Sequence, residues 1–65
     1  MNLTINQQAH QLPDDATVVD AIAAIGARPP FAVAVNTVFI PKTHYAQQQL
    51  HTGDRVEIIS PITGG

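Results

Sequence analysis

Residues 17–26, which read TVVDAIAAIG, predict the one helix of the chain, and the strands are predicted on either side of it. Thr17 and Asp20 have the spacing of a capping box, in which a hydroxyl and a carboxylate satisfy free amides of the first helical turn. Three apolar residues at i, i+4 and i+7 share one face of this helix: Val18, Ile22 and Ile25. Gly26 is a natural helix end, and the proline that follows at position 29 prevents continuation.

Two strands are predicted before the helix. Residues 2–6 read NLTIN, in which apolar and polar side chains alternate with the period of a half-buried strand. Gln7-Gln8 is a candidate turn, after which residues 9–12 return as a second strand. Pro13 then breaks the strand pattern.

Two or three further strands are predicted after the helix, in residues 32–36, 38–40 and 55–60. Asn36-Thr37 is a candidate tight turn between the first two, because asparagine tolerates positive φ. Residues 42–50 are polar with isolated apolar anchors, which indicates a loop with one helical turn. Two apolar residues of the last strand share one of its faces, Val56 and Ile58.

This order of elements predicts an α+β domain, with one helix packed across one mixed sheet of four to five strands. It fits the β-grasp (ubiquitin-like) arrangement, in which the first and last strands are neighbours and the tail leaves from the middle of the sheet. Residues 1–60 are expected to form this domain. Residues 61–65, PITGG, are expected to be a flexible diglycine tail, because proline cannot donate to a sheet ladder and glycines have no side chain to anchor.

Composition excludes several classes of protein. The net charge is −2, and the three basic residues do not cluster, which argues against the basic patch that nucleic-acid binding needs. No apolar run approaches the roughly 20 residues of a membrane helix, and no secretory signal opens the chain. A cytoplasmic protein is therefore expected. Charged residues are 12% of the sequence, against about 25% in typical domains, which suggests that a partner covers some of the surface.

No catalytic or metal-binding residue is expected in the chain itself. The three histidines at 10, 44 and 51 do not match a standard metal-ligand spacing. Asp14-Asp15 lies between Pro13 and the helix start, where turn and capping roles explain it better than acid–base catalysis. A chain of 65 residues buries only about 60% of its unfolded surface, which favours a carrier or binding module over a self-sufficient enzyme.

Gly64-Gly65 is the feature with the clearest chemistry. A terminal carboxylate, with a pKa near 3.5, is ionised at neutral pH and is a poor electrophile. Attack on the α-phosphate of ATP would convert it to an acyl-adenylate, from which a sulfur nucleophile can displace AMP and leave a thiocarboxylate. The chain contains no cysteine, so a sulfur carried here would reside on the terminus and not on a side chain.

The motifs of the C-terminal half are VAVN at 33–36, IPK at 40–42, Leu50, GDRVEI at 53–58 and PITGG at 61–65. In this order, and in a chain this short, they resemble the ThiS family, the sulfur carriers of thiamine biosynthesis. The specific part of the resemblance is residues 33–65, and the length and element order extend it to the whole chain. It implies a β-grasp fold and a carrier that performs no catalysis.

The resemblance also implies the partners. An adenylating enzyme related to ubiquitin-activating enzymes uses ATP to activate the terminal glycine, here Gly65, so that the carrier binds no cofactor itself. A cysteine desulfurase supplies the sulfur, directly or through a relay protein. Thiazole synthase then accepts the sulfur from the thiocarboxylate. Because glycine lets backbone approach closely, three further residues are expected to thread through the partner active sites: Ile62, Thr63 and Gly64.

Apolar residues outside the predicted core suggest a docking surface. Ile59, Phe39 and Ile62 alternate out of phase with the core positions and can form an apolar patch beside the tail. We favour this patch for Ile59 and Ile62. Phe39 is also a candidate docking residue, but packing beneath the 42–50 loop is the arrangement we favour for it.

Three other functions fit the same sequence. The small subunit of molybdopterin synthase shares the chemistry but tends to be longer. A ubiquitin-like modifier would join Gly65 to lysines after the same adenylation. A non-covalent β-grasp adaptor would not use the tail, so deletion of Gly65 separates it from the other functions.

Overall fold

The computed structural model describes residues 1–60, and these form one helix and one mixed five-stranded sheet. The strands, in chain order, are β1 (Asn2–Ile5), β2 (Gln8–Gln11), β3 (Ala32–Val35), β4 (Val38–Ile40) and β5 (Arg55–Ile59). The helix α1 is Val18–Ile25, and a 3₁₀ turn occupies Lys42–His44 in the loop before β5.

The last strand lies in the middle of the sheet. The strand order is β2-β1-β5-β3-β4. β5 runs parallel to β1 on one side and antiparallel to β3 on the other, while β2 and β4 form the two edges. The predicted α+β, β-grasp arrangement is therefore confirmed, including the neighbouring first and last strands.

One face of the sheet packs against the helix and forms the core. Every second residue of β1, β3, β4 and β5 points to this face, and each of these residues is apolar, as the period-2 pattern predicts. Helix α1 contributes Val18 and Ala21, and the loop before β5 contributes Leu50, whose side chain is 1% exposed. The residues of the core cluster are Leu3, Ile5, Val18, Ala21, Val33, Val35, Ile40, Leu50, Val56 and Ile58.

Both ends of the helix follow the sequence signals. The backbone N–H of Thr17 donates to Asp20 Oδ2 at 2.8 Å, which is the carboxylate half of a capping box. Gly26 has a φ of 64°, and its N–H donates to the carbonyl of Ala23 at 3.1 Å. The helix is one residue shorter than predicted at each end, because these two residues are its caps.

The first hairpin turn lies one residue earlier than predicted. Asn6 and Gln7 have φ values of 52° and 70°, so they and not Gln7-Gln8 are the central residues of a two-residue turn. β2 accordingly begins at Gln8 instead of position 9. Asparagine accepts positive φ more easily than glutamine, which is the physical reason for the shift.

Candidate functional site

The candidate site is the region around the end of β5. Ile59 is the last residue of this strand, and Ser60 is the last residue that the structure describes. The predicted sulfur attachment residue Gly65 and the predicted threading residues Ile62, Thr63 and Gly64 lie outside the described residues, as does the rest of the predicted 61–65 tail. The described part of the site is therefore the end of β5 and the residues that hold this strand in place.

The beginning of β5 is held by the turn between β3 and β4. Asn36 has a φ of 51°, which turns its side chain toward β5. Its Oδ1 accepts the backbone N–H of Arg55 at 2.9 Å, and its Nδ2 donates to Asp54 Oδ1 at 2.9 Å. The backbone N–H of Asn36 also donates to the carbonyl of Arg55 at 2.8 Å. This turn therefore fixes the start of β5.

The other side of β5 is held near its end by the turn between β1 and β2. Asn6 accepts the backbone N–H of Ile58 with its Oδ1 at 2.8 Å, and its Nδ2 donates to the carbonyl of Ile58 at 3.2 Å. A backbone residue of a neighbouring strand would make the same pair of hydrogen bonds. The Asn6 side chain thus extends the pairing of β5 beyond Ile5 and Val56, the last pair that β1 itself makes with β5.

The sheet face opposite the helix carries an apolar surface. Phe39 and Ile59 are 64% and 57% exposed. The strand pairing places Ala34 beside Phe39 and Ala32 beside Ile59, so that two small side chains lie between the two large ones. From the strand spacing and the rise per residue, Phe39 and Ile59 are about 12 Å apart. We call these four residues the sheet-face patch.

The preferred sequence interpretation of Phe39 is wrong. We expected the 42–50 loop to cover it, but Phe39 pairs with Ala34 on the face away from the helix. The loop instead packs toward the core, where it contributes the buried Leu50. Ile59 is likewise exposed, which is compatible with the expected patch. The docking role of both residues stays a prediction.

A groove at the rim of the sheet was not anticipated from the sequence. Its volume is about 340 Å³, and we call it the rim groove. It is lined by Pro29, Pro30, Phe31, Lys42 and Tyr45. The rings of Phe31 and Tyr45 are stacked, with centroids 6.1 Å apart and planes inclined by 19°. The sequence patterns interpret Pro29 as a helix stop and residues 42–50 as a loop, and neither interpretation indicates a groove.

Ionisable side chains are dispersed over the described surface. Within residues 1–60, no three histidine, aspartate or glutamate side chains are grouped so that they could hold a metal ion. His51 lies 3.8 Å from Asp54, measured from Nδ1 to Oδ2, and Asp54 also accepts the backbone N–H of His51 at 2.8 Å. No helix in the described part of the chain is long and apolar enough to cross a membrane.

Comparison with known proteins agrees with the fold and with the C-terminal motifs. A sequence model of the ThiS family matches residues 2–65. The crystal structure of a thiamine biosynthesis protein (ThiS) from Geobacter metallireducens superposes with a TM-score of 0.82. The two chains are 22% identical, and the match covers 100% of each. No curated protein matches the chain. Because the family match spans nearly the whole sequence, the chain belongs to the ThiS family, the small sulfur carriers of thiamine biosynthesis.

Proposed function

We propose that Gly65 is the sulfur attachment site of this carrier and that its thiocarboxylate donates sulfur for thiazole formation. The family match, which continues through residue 65, supports this proposal. So does the absence of cysteine from the sequence, since no side-chain thiol competes as the sulfur site. The carrier works in the cytoplasm, in this proposal, where ATP is available to its partner.

The proposed chemistry takes place in three steps at the terminal carboxylate. A carboxylate oxygen of Gly65 attacks the α-phosphorus of ATP and expels pyrophosphate, which gives an acyl-adenylate. A sulfur nucleophile, supplied by a cysteine desulfurase or a relay protein, then attacks the acyl carbon and expels AMP. When this nucleophile is a persulfide, the product is an acyl disulfide. A thiolate then attacks the donor's sulfur and forms a disulfide with it, which breaks the S–S bond and leaves the thiocarboxylate that thiazole synthase uses as its sulfur source.

The position of β5 is the observation that carries the proposal. A substrate that is the end of a protein chain must be presented to an active site in a defined direction. β5 lies between two other strands, and the side chains of Asn6 and Asn36 hydrogen-bond to its backbone from opposite sides. The chain therefore continues beyond Ser60 from a fixed point at the centre of one sheet end.

The sheet-face patch is the proposed docking surface for the adenylating enzyme and thiazole synthase. Its two large side chains, Phe39 and Ile59, are more than half exposed on one face of the sheet, and such an apolar surface fits a site that a partner covers. Burial of one such side chain contributes about 1.5–3 kcal/mol, enough to dominate a small interface. Ile59 is also the last residue of β5, so a protein that covers the patch adjoins the point where the chain continues.

The experiment that tests the proposal is an intact-mass measurement. The untagged protein is incubated with the adenylating enzyme of its own organism, ATP and a sulfur source, and a second sample lacks ATP. We expect a species in which sulfur replaces one oxygen, mapped to Gly65, only when ATP is present. A variant with one alanine added after Gly65 is the matched control, because it keeps the domain but displaces the terminal carboxylate.

The other outcomes assign the alternative functions. If the complete reaction yields no species other than the unmodified carboxylate, the sulfur-carrier chemistry is refuted. An isopeptide bond from Gly65 to a lysine identifies a ubiquitin-like modifier instead. If a chain that lacks Gly65 fully restores the function of cells from which the protein has been deleted, the protein is a non-covalent adaptor. Sulfur transfer to a molybdopterin precursor, with no transfer to thiazole synthase, identifies a subunit of molybdopterin synthase.

A further inference from the structure

The rim groove has the composition of a site for an apolar group beside an anion. Its walls are the two stacked rings of Phe31 and Tyr45 and the rings of Pro29 and Pro30. Lys42 is the charged residue of the lining. Within residues 1–60, neither of the ion pairs that form involves Lys42. Among residues 1–60, no carboxylate therefore pairs with the ammonium group that the groove offers.

The strand register places the rim groove at the sheet end where β5 ends. Ala32 pairs with Ile59, so Phe31 lies one residue past the last pair between β3 and β5. Lys42 follows β4 in the 3₁₀ turn and lines the groove together with Phe31, so it lies at the same end of the sheet.

The rim groove and the sheet-face patch lie on the two sides of this sheet end. Phe31 and Tyr45 pack against the core cluster, which is on the helix side, whereas Phe39 and Ile59 are on the opposite face. An enzyme that encloses the end of β5 in order to receive the chain beyond Ser60 is therefore adjacent to both surfaces.

We propose that the rim groove binds one bulky apolar side chain of the adenylating enzyme, with a carboxylate of that enzyme beside it paired to Lys42. This inference rests on the proposed function, because the partner is the enzyme that activates Gly65. Two features favour a protein over a free small molecule as the occupant. The groove is open at the surface, and its residue Phe31 adjoins Ala32, which pairs with the last residue of β5.

The test is the kinetics of ATP–pyrophosphate exchange, with the full-length chain as the varied substrate of the adenylating enzyme from its own organism. Exchange reports the adenylation step, and its KM for the chain reports docking. We expect Lys42→Gln to raise KM about fivefold and Lys42→Glu to raise it at least about tenfold, with kcat within about twofold, since a docking contact acts on KM. Lys42→Arg should restore the KM of the wild type.

A control on the far edge of the sheet separates local contact from net charge. Gln8 is exposed on β2, at the opposite edge of the sheet from β4. Gln8→Glu changes the net charge from −2 to −3, the same change as Lys42→Gln. It should leave KM within about twofold of the wild type, and the effect of Lys42→Gln should shrink as salt is raised.

The apolar part of the groove is tested by Tyr45→Leu, with thermal unfolding measured in parallel to show that the variant is folded. KM should rise while kcat is retained. If KM is unchanged both in folded Tyr45→Leu and in Lys42→Glu, the inference is wrong. ATP–pyrophosphate exchange with the wild type would in that case still support the adenylation step of the proposed function. An effect on transfer to thiazole synthase alone also overturns it. Absence of exchange with the wild type refutes the proposed function, and the inference with it.

Discussion

Asn6→Ala tests whether a single side chain holds the central strand near its end. The substitution removes both hydrogen bonds to the backbone of Ile58, at 2.8 and 3.2 Å. Each such bond contributes about 1 kcal/mol. The φ of 52° at this position adds a cost of about 1 kcal/mol for alanine, which asparagine tolerates better. We therefore expect the free energy of unfolding to fall by about 3 kcal/mol, a large part of the roughly 3–10 kcal/mol that a chain of this size possesses.

Asn6→Gly divides this loss between its two causes. Glycine also removes the hydrogen bonds, but it adopts positive φ without strain, so the expected loss is about 2 kcal/mol. Urea unfolding monitored by circular dichroism gives both values, provided that the denaturant slope is unchanged. The native-state exchange of the Ile58 amide should accelerate in both variants.

Two results would contradict this reasoning. A loss below about 0.5 kcal/mol in both variants would show that water replaces the Asn6 side chain at no cost. Equal losses in the two variants would show that positive φ carries no penalty here. Asn36→Gly is the matched comparison, since Asn36 makes the corresponding contact with the start of β5. It should leave the exchange of the Ile58 amide slower than Asn6→Gly does.

Two further predictions concern the second turn and the sheet-face patch. Thr37 is a β-branched residue with a φ of 70°, so Thr37→Gly should raise the free energy of unfolding by about 1 kcal/mol, measured by urea unfolding, whereas Thr37→Val should not. Phe39→Ser should leave the midpoint of thermal unfolding within a few degrees, because Phe39 is 64% exposed, but should raise the KM of adenylation about tenfold. A large loss of stability in Phe39→Ser would show that Phe39 belongs to the core and not to a docking surface.

The sequence predicts the helix and the sheet well because these elements depend on local signals. Thr17 and Gly26 mark the helix ends, and alternation marks the strands, so their bounds are correct to within a residue or two. The first turn is displaced because the alternation of residues 2–6 assigns Asn6 to the strand, although asparagine accepts positive φ more easily than glutamine. The strand register, which pairs Ile5 with Gln8, places the turn at Asn6-Gln7.

The features that local signals do not encode were missed or misjudged. Asn6 and Ile58 are 52 positions apart, and no pattern within either segment indicates that they meet. The sequence also does not show which face of the sheet the 42–50 loop covers, so the packing of Phe39 beneath that loop is a wrong prediction. The rim groove brings together residues from before β3 and after β4, and its existence depends on how those strands pair.

The central position of β5 also determines when the sheet can form during synthesis. Before β5 leaves the ribosome, β1–β2 and β3–β4 are two separate hairpins that share no strand pairing. An isolated two-stranded hairpin is marginal in water, so a nascent chain has no stable sheet until its last strand has been made. The sheet-face patch is shared between β3, β4 and β5, and it takes shape only at that moment. In the proposed docking, an activating enzyme therefore discriminates against copies of the carrier in which β5 has not yet paired with β3.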